Sequence, residues 1–532
     1  MFPMDQLSQM PLLSVATAVV LSYTLYHYFL PSPTQGLEAH LPVVGIQGRL
    51  FPWARATLAS FSQTKAWAFA GYESVTIASL SLPLQPLQHT LTHDPSTQHS
   101  RHNRPYILPS LDRGPIVIVP PAQTKALYGV SGDILDAHAT QNQTIQTQWT
   151  ITDQEVANNN AIHINVIRRQ MTRSLEHLVP LLASEIRHAL EQSWSTSSEW
   201  KMVAVWDSCL EIVAAAGNAA FCGEALCRKQ DFLAALQRHG ASVLGGSMVI
   251  SAAPGPLKPI IGTIIRQRLD ETTKAKNDPS YCWGPPKDAL QWIIDECYGS
   301  GQPSQLAPER VALRLLILNV VSLHSTSYTV QNLILDLAST DPKLQVIEAL
   351  REECATVLEE SGGTWTFDAV KKLRLLDSAI RESIRLMPFA NVGLPRTVVH
   401  PMGLPLQNPP VILPRGTILS LALGATQHDV SFYDHPNDFD AFRFARTSSS
   451  SGGKGSSHQT SAVTPDDRYL GFGFGRHACP GRFFAVAEIK LLLAHMLLHY
   501  EIGYVDERPK ARSVMGLNYP AAGAVVGVRR RR

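Results

Sequence analysis

The chain has 532 residues, and its 46 Lys and Arg nearly balance its 44 Asp and Glu, so charge gives no reason to expect a nucleic-acid partner. Its 7 cysteines are irregularly spaced and contain no Cys-x-x-Cys pair, which favours a reduced, cytosol-facing protein over a disulfide framework or a zinc ribbon. Length alone suggests about three domains.

The first predicted element is an apolar run, Leu12–Leu30, which contains no Asp, Glu, Lys or Arg and ends at Pro31. A helix of this length spans roughly 28 Å, enough to cross the hydrocarbon core of a bilayer. The run therefore predicts a transmembrane anchor. A cleaved signal peptide is the alternative, but it would have a basic segment before a shorter apolar core, and here only Asp5 is charged. The first Lys or Arg is Arg49, so charge leaves the orientation open.

The middle of the chain is predicted to be helical, with Pro180 separating the first two helices. Apolar residues recur at helical spacing in Asn165–Leu178, Leu181–Ser193 and Asp288–Tyr298. A longer segment, Glu309–Asp341, has neither Pro nor Gly and is apolar nearly all round, which indicates a helix buried inside a large protein. A membrane span is the alternative for this segment, but it would bury three polar side chains at high cost: Arg314, His324 and Asp336.

Short β-like runs such as Ile116–Val119 and Thr417–Leu423 are scattered among turns, so the predicted fold is mainly α with a minor β region. One low-complexity stretch, Thr447–Val463, is rich in Ser and Gly and is predicted to be a mobile surface loop.

Residues 471–481 read GFGFGRHACPG, and a strong helical pattern follows them. Proline is favoured at the first position of a helix, so Cys479 is expected at or just before a helix N-terminus, where a thiolate is stabilised and can bind a soft metal. The glycines let the backbone pass close to a flat group, Phe472 and Phe474 offer packing surface, and Arg476 and His477 suit an anion. A flat, anionic, metal-bearing group of this kind is haem.

Two alternatives remain open for this stretch. A lone cysteine is most often a buried structural residue. The string GFGF also imitates an RNA-binding strand signature, although Leu470 and Gly475 flank it instead of the basic residue and valine of that signature.

The pattern Phe472-x-x-Gly475-x-His477-x-Cys479-x-Gly481 resembles the haem-binding signature of the cytochrome P-450 superfamily of haem-thiolate monooxygenases, in which arginine usually stands in place of His477. The resemblance implies haem b with Cys479 as the axial iron ligand. It also implies the cytochrome P-450 fold, with one catalytic domain over residues 31–532 behind the anchor at 12–30, and not three domains.

Further residues match the family in the expected order. Glu382 and Arg385 lie three apart on a predicted helix, and Phe442-Arg443-Phe444 follows them; the resemblance implies that Glu382, Arg385 and Arg443 form a buried structural network. Family position makes Arg396 a haem-propionate contact beside His477. Arg168 or Arg169 is a further candidate for the same role.

The long predicted helix carries His324-Ser325-Thr326 where the family has an acid–alcohol pair above the haem. The resemblance implies that these three side chains deliver protons while dioxygen is activated. The alternative is that the hydroxyls only bond back to backbone carbonyls one turn earlier.

The function implied by the resemblance is hydroxylation or another oxidation of a lipophilic small molecule, such as a terpenoid or alkaloid of secondary metabolism. It would use dioxygen and electrons from NADPH, delivered by a cytochrome P-450 reductase on the Cys479 side. Substrate would touch the 100–165 region, Ala390–Leu394, the Ser322 side of the long helix and Val514–Leu517. The protein would lie at the endoplasmic reticulum membrane with its catalytic domain in the cytosol, which would leave the sequon at Asn142 unmodified.

Three other functions remain open from the sequence. A haem-thiolate isomerase or reductase would not use dioxygen, an RNA-binding module would use the GFGF string, and a structural membrane protein would bind no haem.

Overall fold

The computed structural model describes residues 34, 36–44, 103–110, 113–144, 151, 153–156, 162–245, 257–450 and 461–531. The predicted anchor, Leu12–Leu30, lies outside the described residues. Helices dominate the part of the chain that is described, and the strands form small sheets, so the predicted mainly α fold with a minor β region is confirmed. The helices are α1 (Pro121–Tyr128), α2 (Ala137–Thr144), α3 (Ile162–Asn165), α4 (Leu175–Trp194), α5 (Val205–Cys222), α6 (Glu224–Cys227), α7 (Gln230–Gly245), α8 (Leu257–Asn277), α9 (Ala289–Gly299), α10 (Pro308–Ala338), α11 (Val346–Glu360), α12 (Phe367–Lys372), α13 (Arg374–Leu386), α14 (Leu423–Gln427), α15 (Arg443–Ser450) and α16 (Arg482–His499).

The strands are short and belong to two sheets and two hairpins. One sheet has five strands in the order β1-β2-β8-β5-β3, another has the order β4-β12-β9, and β6-β7 and β10-β11 form the hairpins. In chain order they are β1 (Tyr106–Leu108), β2 (Ile116–Val119), β3 (Leu135–Asp136), β4 (Lys201–Ala204), β5 (Gly393–Val398), β6 (Leu404–Gln407), β7 (Pro410–Leu413), β8 (Ile418–Leu421), β9 (Tyr500–Ile502), β10 (Arg512–Val514), β11 (Leu517–Tyr519) and β12 (Val525–Arg530).

The centre of the fold is α10, the helix predicted from the long apolar segment. Among the described residues, α10 is the one helix that is long and apolar enough to cross a membrane. More than half of its most apolar segment is nevertheless buried inside the protein. Helices α5, α7, α8, α9 and α13 pack around it, which accounts for apolar side chains on nearly every face.

The predicted break between the first two helices is wrong in its position. Pro180 lies inside α4, and the chain instead turns at Ser174, after a π-helical stretch over Val166–Met171. Proline has no N–H, so at the sixth residue of α4 the helix loses the one hydrogen bond that this residue would donate to the carbonyl of Glu176.

The two described ends of the Ser/Gly-rich stretch depart from the expected mobile loop. Residues 447–450 continue α15, and Ala462 is fully buried. At the second end, the backbone N–H of Ala462 donates to the carboxylate of Asp377 on α13 (2.7 Å). The remaining residues, 451–460, lie outside the described part of the chain.

Candidate functional site

The segment from Phe472 to Cys479 forms a tight loop closed by one backbone hydrogen bond. The N–H of Cys479 donates to the carbonyl of Phe472 (2.7 Å), and the N–H of Ala478 donates to that of Gly475 (3.1 Å). Gly473 and Gly475 have φ values of 82° and 62°, in the left-handed region that side chains disfavour. A Cβ at Gly473 would also lie 3.4 Å from both Ala478 Cα and Leu394 Cδ2. The glycine spacing therefore encodes the turn that presents Cys479.

This loop also removes one of the alternatives. An RNA-binding strand would present the two phenylalanines on one face of a sheet, but Phe472 and Phe474 lie in a loop and both are partly buried. Short 3₁₀ geometry follows over Gly475–His477. The GFGF string is therefore no strand.

Helix α16 begins at Arg482 with Gly481 as its N-cap, so Pro480 precedes the helix and does not occupy its first position as predicted. Cys479 still lies close to the N-terminus. Burial raises the pKa of the Cys479 thiol, whereas the N–H groups of Gly481 and Arg482 and the Arg482 charge lower it. The expected stabilisation of a thiolate by the helix start is thus present but smaller than the cost of burial. A cation bonded to sulfur would supply the compensation that a buried thiolate needs.

Cys479 is exposed, although burial is the main cause that raises the pKa of its thiol. Five other cysteines are buried, and the second exposed one, Cys282, lies in the loop that precedes α9. The interpretation of Cys479 as an ordinary buried structural residue therefore does not fit.

Cationic groups surround His477 beside this loop. Burial, followed by the positive charges of Arg396, Arg476, His138 and Arg168, lowers the pKa of His477 to about 4. The rings of His138 and His477 meet edge to face at 5.9 Å. A neutral histidine among cations is the expected state where positive charges repel an added proton.

Among the described residues, each arginine of this cluster donates a hydrogen bond to a backbone carbonyl, while Asp136 and Asp133 supply negative charge near Arg396 and Arg476. Arg396 donates to the carbonyl of Pro395 (2.8 Å), Arg476 to that of Val130 (2.8 Å) and Arg168 to that of Arg476 (3.3 Å). Of the two predicted candidates, Arg168 is therefore the one beside the cysteine loop, and Arg169 is not placed there by any hydrogen bond of the described residues. The cluster suits a ligand with carboxylates.

A stripe of accessible side chains marks one face of α10. Val321 is 53% exposed, and Ser325, one turn further along, is also exposed. The Ser325 hydroxyl donates to the carbonyl of Val321 (2.8 Å), and the Thr329 hydroxyl donates to the carbonyl of Ser325 (3.1 Å). The back-bonding alternative is thus observed for Ser325, although its oxygen can still accept a hydrogen bond.

The other two residues of the predicted proton relay do not share this face. His324 is buried and stacks on Trp206, with ring centroids 6.3 Å apart, and burial lowers its pKa. Thr326 is only 3% exposed. Successive residues of an α-helix are rotated by about 100°, so three consecutive side chains cannot all point into one cavity. Of the three residues of the predicted proton relay, Ser325 is the one on the accessible face of α10.

Strand β5 and the residues before it connect this face of α10 with the cysteine loop. The Phe389 ring, 43% exposed, meets the ring of Tyr328 edge to face at 5.8 Å, one turn beyond Ser325. Further along, Leu394 contacts Gly473, as described above. The Phe389–Leu394 segment therefore borders the space between α10 and Cys479.

Glu382, Arg385 and Arg443 lie together in a fully connected network, as the resemblance implied. Both Glu382 and Arg385 are completely buried, and Arg385 donates two hydrogen bonds to Glu382 in fork geometry (2.8 Å each). Arg443 adds a third (3.0 Å). Arg385 also donates to the carbonyls of Gln427 (2.6 Å) and Pro436 (2.7 Å), so α13 holds the chain segment that leads to the cysteine loop.

Two residues of this network were not predicted. Arg381, 1% exposed, donates to the carbonyls of Ser461 (2.7 Å) and Thr464 (2.9 Å) and lies 3.9 Å from the Tyr469 ring centre. Gln427 accepts from the N–H of Leu470 (2.9 Å) and donates to the carbonyl of Arg385 (3.1 Å). No sequence signal identifies either, because their partners are distant in the chain.

These features fit haem. An accessible thiol on a glycine loop can bind its iron, the cations around His477 can bind its propionates, and the loop offers close approach to a flat ring. Arg396, His477 and Cys479 would be the principal contacts.

Comparisons with known proteins identify the same family as the sequence resemblance. The sequence model described as Cytochrome P450 matches residues 260–521. The chain is 38% identical to the cytochrome P450 monooxygenase okaG of Penicillium ochrochloron, over 99% of this chain and 100% of that protein. It is 29% identical to gloP of Glarea lozoyensis over 81% of this chain and 85% of that protein, and 29% identical to htyF of Aspergillus rugulosus over 93% and 73%. Both are also named cytochrome P450 monooxygenases.

Proposed function

This chain belongs to the cytochrome P450 family and is an oxygen-incorporating oxidoreductase, and from that premise we propose that it hydroxylates or otherwise oxidises a lipophilic small molecule on a haem b held by Cys479. When bound, a thiolate-ligated haem supplies the electron and dioxygen chemistry. The observation that carries the proposal is the accessible Cys479 sulfur on its glycine loop. The class of substrate is a terpenoid or alkaloid of secondary metabolism, supported by the apolar side chains at Val321 and Phe389.

The chain's own residues then have distinct tasks. Cys479 would bind the iron through its sulfur, and Arg396 and His477 would hold the propionates, with His138 and Arg168 beside them. Ser325 holds a hydroxyl on the accessible face of α10, where it can relay a proton to oxygen during the reaction. Val321 and Phe389 present apolar surface that excludes water and receives substrate.

Electrons would come from NADPH through a cytochrome P450 reductase. A depression of about 300 Å³ on the protein surface includes Arg168, Arg476 and Arg482 together with Pro480 in its lining. Three arginines this close to Cys479 offer a positive surface to an acidic redox partner. We place the reductase contact there.

The test of haem ligation is the absorption spectrum of the reduced, carbon monoxide-treated protein. The wild type is expected to show the long-wavelength band of a thiolate-ligated complex, and Cys479→Ser to lose it. Cys282→Ser is the matched control, because Cys282 is also exposed, and it should keep the band. A thiolate band in Cys479→Ser would overturn the assignment. Turnover that needs neither NADPH nor dioxygen would instead indicate an isomerase.

We further propose an endoplasmic reticulum location, with Leu12–Leu30 as a single anchor and residues 31–532 as one cytosolic catalytic domain. The apolar run and the unpatterned cysteines support this topology. The sequon at Asn142 then stays unmodified in cells, and glycosidase treatment leaves the electrophoretic mobility unchanged. A mobility shift would place the domain in the lumen.

A further inference from the structure

Two buried asparagines join the segment that follows α13 to the hairpin formed by β10 and β11. Asn391 is 2% exposed and Asn518 is 5% exposed. The side-chain amide of Asn391 donates to Asn518 Oδ1 (2.7 Å) and to Ser513 Oγ (3.1 Å). The side-chain amide of Asn518 in turn donates to the carbonyl of Pro388 (2.7 Å). This asparagine pair therefore links parts of the chain that are separated by 127 positions.

Backbone hydrogen bonds extend the same connection. The N–H of Asn391 donates to the carbonyl of Gly516 (2.6 Å), and the N–H of Asn518 donates to that of Phe389 (2.9 Å). Ala390 and Leu517 form an isolated antiparallel bridge between these bonds. These bonds fix the position of the hairpin relative to residues 389–391. We call residues 389–391 together with the β10–β11 hairpin the wall.

This wall borders the space between α10 and the cysteine loop. The Phe389 ring meets the Tyr328 ring one turn beyond Ser325. The chain then enters β5, where Leu394 Cδ2 lies 3.4 Å from the position that a Cβ at Gly473 would occupy. The wall therefore lies beside the proposed haem and substrate space.

The tip of the hairpin is held in a conformation that its sequence disfavours. Val514 pairs with Leu517, so Met515 and Gly516 form a two-residue turn with φ values of 51° and 80°. Such a turn needs left-handed backbone at both positions and normally carries Asn-Gly or Gly-Gly. A methionine keeps this conformation only where surrounding contacts impose it, and the asparagine pair with its backbone bonds supplies such contacts.

We propose that the Asn391–Asn518 pair is a positioning element that sets the shape of the substrate wall formed by Phe389, Ala390 and the Met515–Leu517 turn. The pair selects among lipophilic ligands by fixing the distance between these two segments, without touching the ligand. The proposal rests on the proposed function, because it assumes that the wall faces a haem-bound ligand.

The test compares two probes that bind haem iron through the same nitrogen. Imidazole is small and needs only access to the iron, whereas clotrimazole carries three aromatic rings that must fit against the walls. Each probe is titrated into three haem-containing proteins: the wild type, Asn518→Ala and Asn391→Ala. Binding is followed by the shift of the haem absorption band. Loss of a buried hydrogen-bonding partner is expected to weaken clotrimazole binding about tenfold while imidazole binding changes less than about twofold.

Asn218→Ala is the matched control. Asn218 is 2% exposed and its amide donates to the carbonyl of Ala214 (2.9 Å), so the substitution also removes a buried amide, but on α5. Both affinities should stay near the wild-type values in this variant. If Asn518→Ala does not fold, Ser513→Ala removes only the acceptor of the 3.1 Å hydrogen bond from Asn391 and keeps the Asn391–Asn518 bond, and a smaller but selective loss for clotrimazole is expected.

The outcomes distinguish failure of the positioning role from failure of the proposed function. If the wild type lacks the thiolate band with carbon monoxide, the proposed function fails. If the band is present but clotrimazole binding is unchanged in both asparagine variants, or if the two probes weaken equally, the positioning role is overturned.

Discussion

Replacing Glu382 by Gln should cost far more stability than breaking an exposed ion pair of the same length. Glu382 is completely buried and accepts two hydrogen bonds from Arg385 and one from Arg443, at 2.8 to 3.0 Å. The N–H of Asp440 donates a fourth (3.2 Å). A glutamine keeps one oxygen but removes the charge and turns an NH₂ group toward the Arg385 donors.

The expected loss follows from burial. Arg385 has no exposed side-chain surface, so Glu382→Gln leaves its guanidinium uncompensated inside the protein. Removing one partner of a buried pair costs about 3–5 kcal/mol, out of a typical unfolding free energy of about 5–15 kcal/mol. The Lys372–Glu360 pair has nearly the same length (2.9 Å), but its side chains are 57% and 53% exposed. Glu360→Gln should therefore cost about 0–1 kcal/mol.

Urea unfolding followed by tryptophan fluorescence, with the haem absorption band recorded on the same samples, measures both variants. Glu382→Gln should shift the unfolding midpoint strongly to lower urea and lose haem with it, whereas Glu360→Gln should overlay the wild type. Equal, small shifts for both variants would show that burial does not set the strength of this network, and the reasoning above would be refuted.

Three further predictions concern single residues. Burial raises the pKa of Glu488 to about 8, and neither carboxylate oxygen has a hydrogen-bond partner in the described part of the chain. Because the unfolded pKa lies near 4.5, the folded state binds the extra proton between these values, so stability falls by about 1.4 kcal/mol per pH unit as pH rises from 4.5 toward 8. Glu488→Gln should abolish this slope in unfolding measured across pH, and an unchanged slope would disprove it. With a substrate identified by the absorption shift that it causes, Ser325→Ala should divert NADPH consumption from oxidised product to hydrogen peroxide, while Thr326→Val, at a buried position, should stay coupled. Uncoupling in Thr326→Val alone would contradict the assignment. Gly473→Ala should lower the fraction of protein with a thiolate band, because a side chain disfavours φ 82° and the strain falls in the loop that carries Cys479. Gly523→Ala, at φ 75° with nothing within 4 Å, should cost about 1 kcal/mol of stability and leave the spectrum intact.

The cysteine loop could be predicted from the sequence because its geometry is local. Glycines at 473 and 475 permit the turn, and the chain direction then fixes Cys479 at the start of α16. The network of Glu382, Arg385 and Arg443 was predicted only through the family resemblance, because a Glu and an Arg three positions apart are common on exposed helix faces. The orientation of α10 was not predictable: a helix that is apolar nearly all round gives no amphipathic signal, so the sequence could not separate Ser325 from His324.

Helix α13 shows that polar residues do not always mark an exposed helix face, because here they form a buried hydrogen-bond network. Asp377, Ser378, Arg381 and Glu382 would be assigned to an exposed face by composition, yet each is at most 9% exposed. Three of them have partners on either side of the Ser/Gly-rich stretch. Ser378 Oγ accepts from the N–H of Phe444 (3.1 Å), and the Asp377 carboxylate accepts from the N–H of Ala462 (2.7 Å). Arg381 donates to the carbonyl of Ser461 and to the carboxylate of Asp466.

Both described ends of that stretch are therefore fixed on one helix, and the same helix holds Arg385 against the segment before the cysteine loop. Because buried polar groups must be paired, the polar face of α13 specifies where the chain leaves and returns, whatever the length of the insertion between. The partners of Arg381 lie 80 to 85 positions away, beyond the reach of any local pattern. The position of Cys479 thus depends on a local glycine turn and on this distant polar face together.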